Sequence, residues 1–305
     1  MTEIERSALL KIVAGTPVRL KAALKGVPKK LLSWTPGPGK WSILEIVAHM
    51  RDMERDAYLT RYRRILAEEN PALPDIDGDI LAIREDYRSL KLPEILRDWQ
   101  KLRKECLKLL KSVKGPRWDR VGTHETAGPL TMETLLRRQA IGNDEAHLGQ
   151  IEGIKKRAAT LEALEAGPKR VSELTKRLDD GLLRRKPAPD KWSAMEVVCH
   201  LRDIEKLWAD RLVKTAFTDK PAFYMIEVDD LAVKNGYNNQ DLGLALKEFT
   251  RLREDNLRLL RALPAPHWKR SGMHPKRGEI TIEKIVEIMI GHDQGHCEQI
   301  AKAVA

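Results

Sequence analysis

Cysteine is scarce in this chain, and aromatic residues are few. Its 305 residues include three cysteines, Cys106, Cys199 and Cys297, an odd number with no C-x-x-C spacing. A disulfide framework is therefore not expected, and a reducing cytoplasm is the natural setting. Aromatics make up 5% of the residues, and no runs of Val, Ile, Tyr and Phe alternate at period two, which argues against a β-rich fold. No stretch approaches eighteen consecutive apolar residues, and the N-terminal residues do not read as a signal peptide, so no membrane association is expected. P-loop, G-x-G-x-x-G, G-x-S-x-G and H-E-x-x-H patterns are all missing, which removes the commonest nucleotide, hydrolase and protease signatures.

Charge is plentiful, with a net +10. Lys and Arg are interleaved with Asp and Glu, as in RLREDNLRLLR at 251–261, with no concentrated basic run. Such mixing describes solvated helix faces, and a nucleic-acid partner is not expected.

An internal repeat organises everything else. Lys40-Trp41-Ser42-Ile43-Leu44-Glu45-Ile46-Val47-Ala48-His49 returns as Lys191-Trp192-Ser193-Ala194-Met195-Glu196-Val197-Val198-Cys199-His200. Later, Trp118-Asp119-Arg120 matches Trp268-Lys269-Arg270, and Gly122-Thr123-His124 matches Gly272-Met273-His274. Ile141-Gly142-Asn143-Asp144-Glu145-Ala146-His147 aligns with Ile290-Gly291-His292-Asp293-Gln294-Gly295-His296. The offset drifts from 151 to 150 to 149 residues, which suggests two single-residue deletions in loops. Two modules are expected, 1–158 and 159–305, joined near Ala158-Ala159-Thr160 and docked as an intramolecular pseudo-dimer in a chain that could be monomeric.

Each module reads as four amphipathic helices. Ser42 with Glu45, and Ser193 with Glu196, have the S-x-x-E spacing of a capping box, typically contributing about 1 kcal/mol. They open the second helix after Pro36-Gly37-Pro38-Gly39 or Pro187-Ala188-Pro189, which cannot be helical. Thr16-Pro17 and Gly167-Pro168 are expected to break or restart the first helix. Leu96, Trp99, Leu102, Leu107 and Leu110 mark the third helix at the helical period, as do Leu246, Phe249, Leu252, Leu257 and Leu260. The fourth starts after Thr131 or Thr281 and ends near Lys155 or Ala303. The fold class is all-α: two tandem four-helix bundles.

His292 and His296 are four apart, so their rings share one helix face. His200, on the second helix of the same module, can complete a three-nitrogen set. Three protein ligands and an open position form a catalytic metal pattern rather than a closed structural one. In the first module His49 and His147 occupy two of the same places, but Asn143 takes the third, and an amide is a poor ligand for zinc-like ions. That copy is expected to be degenerate, with the two histidines hydrogen-bonded to Asn143. Asp203 and Gln299 stand three residues beyond His200 and His296, where they could orient a ring. Asp293 and Gln294 point off the histidine face and are expected in solvent. Cys199 and Cys297 read as small core residues, and Trp41 and Trp192 as packing beneath the start of the second helix. Arg270 and His274, in the loop before the fourth helix, are candidates to touch substrate.

The ordered set of these residues resembles the DinB/YfiT-like superfamily of metal-dependent enzymes. The features are K-W-S-x-x-E-x-x-x-H, a Trp–Arg–Gly–His loop, and G-H-D-x-x-H followed by Gln-Ile. It occurs twice and covers nearly the whole chain. The resemblance implies an up-down-down-up bundle with a metal site at His200, His292 and His296. It implies a divalent ion, zinc or nickel first and iron as a third option, and reactions that include transfer to or from low-molecular-weight thiols. The leading expectation is thus an enzyme, a hydrolase or thiol transferase acting on a small molecule. The alternative is a non-catalytic binding protein, its metal structural or absent, engaging an acidic partner.

Overall fold

The computed structural model describes residues 2–225 and 228–304. It divides into two compact units, Met1–Thr35 with Gly39–Lys156, and Pro36–Pro38 with Arg157–Ala305. That division, like the expected one near Ala158, falls inside a single helix, Ala146–Thr175, rather than at a helix end near Lys155.

Unit 1 holds Glu3–Leu24 as its first helix, a second helical run from Ile43 to Ala67, and Leu92–Ser112 as its third. Its fourth begins at Met132 and runs on into Ala146–Thr175. In unit 2 the latter part of Ala146–Thr175 is the first helix, followed by Ala194–Phe217, Leu242–Ala262 and Ile282–Val304. Each unit is a four-helix bundle. The capping boxes form in both: the Ser42 and Ser193 backbone N–H groups each donate to the Glu carboxylate at 2.8 Å, and the Ser hydroxyls accept in return.

Neither proline breaks its helix, contrary to the sequence expectation: Pro17 and Pro168 lie inside Glu3–Leu24 and Ala146–Thr175. A proline lacks the N–H that would satisfy the carbonyl four residues back. Here another donor takes over. Arg103 Nη1 donates to the Val13 carbonyl at 2.9 Å, and Arg253 Nη1 to the Leu164 carbonyl at 2.7 Å. These are the two carbonyls that Pro17 and Pro168 leave free. Each guanidinium is about 1% exposed and is neutralised by a carboxylate from the second helix and one from the fourth: Glu54 and Asp144, or Glu205 and Asp293. One buried arginine thus ties all four helices of its unit. Asp293, expected in solvent, is 5% exposed and belongs to this cluster; Gln294 is exposed. Gly167 makes room for it, since a Cβ there would lie 2.2 Å from Asp293 Oδ2.

The drifting repeat offset has a different origin from loop deletions. The offset is 151 at Glu54/Glu205 and 150 at Arg61/Arg211, so the first extra residue of unit 1 falls between them. Met53–Leu59 is a π-helical turn there. The second shift falls between Leu136/Val286 and Asn143/His292, and Arg138–Glu145 is π-helical. A π turn is an α-helix that has absorbed one added residue. Both insertions sit within helices, and the unit 2 counterparts, Ala194–Phe217 and Ile282–Val304, are regular α-helices.

The segment before each fourth helix is a β-hairpin, not a plain loop. Val121–His124 pairs antiparallel with Gly128–Thr131, and Ser271–His274 with Gly278–Thr281. In unit 1, Ala72–Leu73 adds a parallel strand; in unit 2, Ala222 bridges Met273. The hairpin packs tightly on the preceding segment, where a Cβ on Gly272 would meet the Phe223 ring at 2.4 Å. Arg270 anchors it by donating to the carbonyls of Thr215 (3.0 Å) and Thr218 (2.8 Å) at the end of the second helix.

Candidate metal centre

The ion cluster of unit 2 fixes the rotation of both histidine-bearing helices. With Glu205 and Asp293 held inward on Arg253, His200 on Ala194–Phe217 meets His292 and His296 on Ile282–Val304. His292 Nε2 lies 3.1 Å from His200 Nε2 and 3.2 Å from His296 Nε2. Two nitrogens bound tetrahedrally to one zinc-like ion stand about 3.3 Å apart, given bonds of about 2.0–2.1 Å. Hydrogen bonding alone cannot account for both contacts. A neutral ring nitrogen carries one hydrogen or one lone pair, so His292 Nε2 can satisfy one neighbour and not two. Leaving such a buried group unmet costs about 1–3 kcal/mol.

The electrostatics keep these rings neutral. Burial, reinforced by the neighbouring imidazoles, pushes His200 and His292 down to about 3. His296 is lowered by burial, against an upward pull from Gln299. Gln299 Oε1 accepts from His296 Nδ1–H at 2.9 Å, which leaves the lone pair on Nε2, facing the other two rings. A divalent cation requires neutral imidazoles with lone pairs turned towards it, and Gln299 sets His296 in that form. Among the described residues no fourth His, Cys, Asp or Glu joins the group.

Its surroundings differ from the sequence reading in several places. Asp203, expected beside His200, turns away from the rings. It accepts from Tyr237 Oη at 2.8 Å and from Arg202 at 2.9 and 3.0 Å. Trp192 packs on the core at the start of its helix, as expected, and also against the site, 4.8 Å from the His200 ring and parallel to His296 at 6.4 Å. Cys199 is a core residue whose thiol burial pushes up to about 11, and Cys297 is half-buried and outside the group.

The three rings open into a pocket of about 550 Å³. His274 lines it; Arg270, held on helix carbonyls, does not. Trp208 and Arg211 also line it and were not singled out in the sequence. Their signal was present: His200, Ile204, Leu207, Trp208 and Arg211 follow one helical stripe, with an arginine among apolar positions.

Unit 1 brings His49 and His147 together, ring centroids 5.0 Å apart, under Trp41 at 4.6 Å from His49. The expected network with Asn143 does not form. Asn143 Nδ2 donates to Asp144 Oδ1 at 3.2 Å, His147 Nδ1 pairs with Gln150 at 3.0 Å, and His49 Nδ1 is buried without a partner.

The DinB superfamily profile matches residues 13–151 and 163–300, nearly the whole chain in two tandem copies. This chain belongs to the DinB superfamily. Among solved structures it is similar to YfiT from Bacillus subtilis, described as a probable metal-dependent hydrolase with an unusual four-helix bundle topology. The two share 21% identity, with a TM-score of 0.49 over 52% of this chain and 90% of that one. No functionally curated protein matches the chain. No described helix is long and apolar enough to cross a membrane.

Proposed function

We propose that unit 2 is a metal-dependent enzyme, a hydrolase or a transferase using a low-molecular-weight thiol. His200, His292 and His296 would hold a divalent ion, zinc or nickel first, with iron also accommodated by imidazole ligands. The observation that carries this reading is the position of His292 Nε2, within 3.1 and 3.2 Å of two other ring nitrogens that it cannot both satisfy. A divalent ion supplies Lewis acidity, which makes a water or thiol nucleophilic near neutral pH. Gln299 holds His296 in the tautomer whose lone pair faces the site. Trp192 packs on the His200 ring and Trp208 on the His292 ring, walling the site. Three ligands leave a coordination position on the pocket side, and a volume of about 550 Å³ suits a small molecule. Asp203 is read as a structural acid, and Arg270 as a hairpin anchor. Unit 1, lacking the third imidazole, is read as metal-free.

The test is turnover by the full chain, reconstituted with zinc or nickel, on parallel panels of hydrolase substrates and thiol-transfer acceptors. Activity that a chelator abolishes and added metal restores is the expected result. Fully loaded protein that is inert on both panels would remove the enzyme reading and favour a binding role.

A further inference from the structure

The pocket beside the histidines contains a buried cation that forms no ion pair among the described residues. Arg211 is 4% exposed, and its Nε has no partner. Among the described residues its guanidinium makes one hydrogen bond, from Nη2 to the Tyr224 carbonyl at 3.1 Å, and lies against Trp208 with its carbon 5.1 Å from the ring centroid. The acid nearest in sequence, Asp210, is tied to Lys214 at 2.9 Å. His274 adds a second donor. Its Nδ1 accepts the Lys276 N–H at 3.1 Å, so its proton sits on Nε2. Among the described pocket-lining residues there is no carboxylate.

Unit 1 supplies the missing half of this arrangement from its own chain. Arg61, the counterpart of Arg211, donates to the Pro74 carbonyl at 2.7 Å in the same way. The next residue, Asp75, places Oδ1 3.6 Å from Nε2 of His124, the counterpart of His274, and its Oδ2 accepts from Thr126 at 2.9 Å. Its charge also acts on Arg61. At the matching position of unit 2 stands Met225, which cannot take that part. The degenerate copy thus carries a built-in carboxylate where the copy with three histidines has an open, positively charged pocket. A buried, unpaired guanidinium is costly unless an anion completes it, and a guanidinium fork matches a carboxylate's two oxygens.

We infer that the pocket of unit 2 seats a carboxylate of its substrate between Arg211 and His274, with the substrate's apolar body against Trp208, Leu207 and Ile288. The inference rests on the metal-enzyme reading for the reacting end of that substrate; the anion seat itself is carried by the arginine, the histidine and the methionine.

Calorimetric titration of the full chain with phenylacetate and with its neutral isostere phenylacetamide tests this. Wild type is expected to bind the carboxylate at least about tenfold more tightly than the amide. Arg211→Met, and independently Met225→Asp, which restores the acid of unit 1, are each expected to erase that preference. The preference is expected to survive in metal-free His292→Ala, which separates this inference from the metal reading. Equal affinity for the two probes in wild type overturns the inference. So does a preference that persists in both Arg211→Met and Met225→Asp but disappears in His292→Ala, which would place the carboxylate on the metal and leave the metal reading standing. If Arg211→Met does not fold, Met225→Asp decides.

Discussion

Replacing His292 with alanine removes the ring whose Nε2 lies 3.1 and 3.2 Å from the Nε2 atoms of both other imidazoles, while His200 and His296 stay on separate helices. Losing a ligand outright should weaken metal binding by at least about 100-fold, since removing a residue that merely orients a ligand already costs about 10–100-fold. Free metal at 100 times the wild-type Kd stabilises the native state by about 2.7 kcal/mol; at a Kd 100-fold weaker, the same concentration gives about 0.4 kcal/mol. For a unit of this size each kcal/mol moves Tm by about 2–4 °C. Added zinc or nickel should therefore raise the unfolding temperature of unit 2 by about 5–10 °C in wild type and by about 1–2 °C in His292→Ala. Calorimetric scans with and without metal read the shift, and elemental analysis after dialysis reads the stoichiometry. One ion per wild-type chain and none in the variant is expected, with unchanged helical circular dichroism. If the variant keeps a full equivalent of metal and the wild-type shift, the three rings do not act as one site and the reasoning from their spacing is wrong.

Gly167→Ala should destabilise unit 2 by about 1–3 kcal/mol, because the new methyl would press on Asp293 Oδ2 at 2.2 Å and Arg253 Nη1 at 2.9 Å. Gly149→Ala, on an exposed helical face with nothing within 4 Å, should instead stabilise by about 0.5–1 kcal/mol, and equal urea midpoints for the pair would contradict the packing argument. Glu45 carries a pH prediction. Burial works to raise its carboxyl, but bonds from Ser42 and Arg88 outweigh that and hold it below the ordinary glutamate value. A depressed folded-state pKa gives stability that is present above the unfolded pKa and lost as pH falls through the folded one. The urea-midpoint gap between wild type and Glu45→Gln should therefore be full at neutral pH and close on acidification; a gap that stays open in strong acid would refute it.

The duplication, the capping boxes and the three histidines were readable because each depends on local spacing: a repeat, an i to i+3 pair, an i to i+4 pair. What escaped depends on atoms brought together from distant positions. Pro17 and Pro168 looked like breaks because the residues that rescue their free carbonyls, Arg103 and Arg253, lie about 90 positions away on another helix. Asp293 lies off the histidine face, which by helix phase alone points to solvent; a buried arginine makes a second polar face inside the bundle. The hairpin at Ser271–His274 and Gly278–Thr281 is not legible in sequence because each strand has four residues, too short for period-two alternation to register. Trp192 packs on the core at the start of its helix, as its place before the capping serine implies, but its contact with the His200 ring depends on the fold and is not legible in sequence order.

The two π turns bear on how the copies diverged. One inserted residue in an α-helix rotates everything beyond it by about 100° unless a π turn absorbs it. In the second helix, His49 and Glu54 are five apart, as are His200 and Glu205, so the added residue comes after the clustered acid. In the fourth, Asn143, Asp144 and His147 keep the spacing of His292, Asp293 and His296, so the added residue comes before them. Both insertions therefore lie outside the intervals that join the arginine cluster to the histidine positions. The phase linking Arg103, Glu54 and Asp144 to His49 and His147 is intact, and the ring pair survives with centroids 5.0 Å apart, against 4.7 Å for His200 and His296. The scaffold of unit 1 thus still presents the site's geometry. What separates it from unit 2 is chemical: an amide in place of the third imidazole, and a carboxylate of its own chain, Asp75, at the position where unit 2 has Met225.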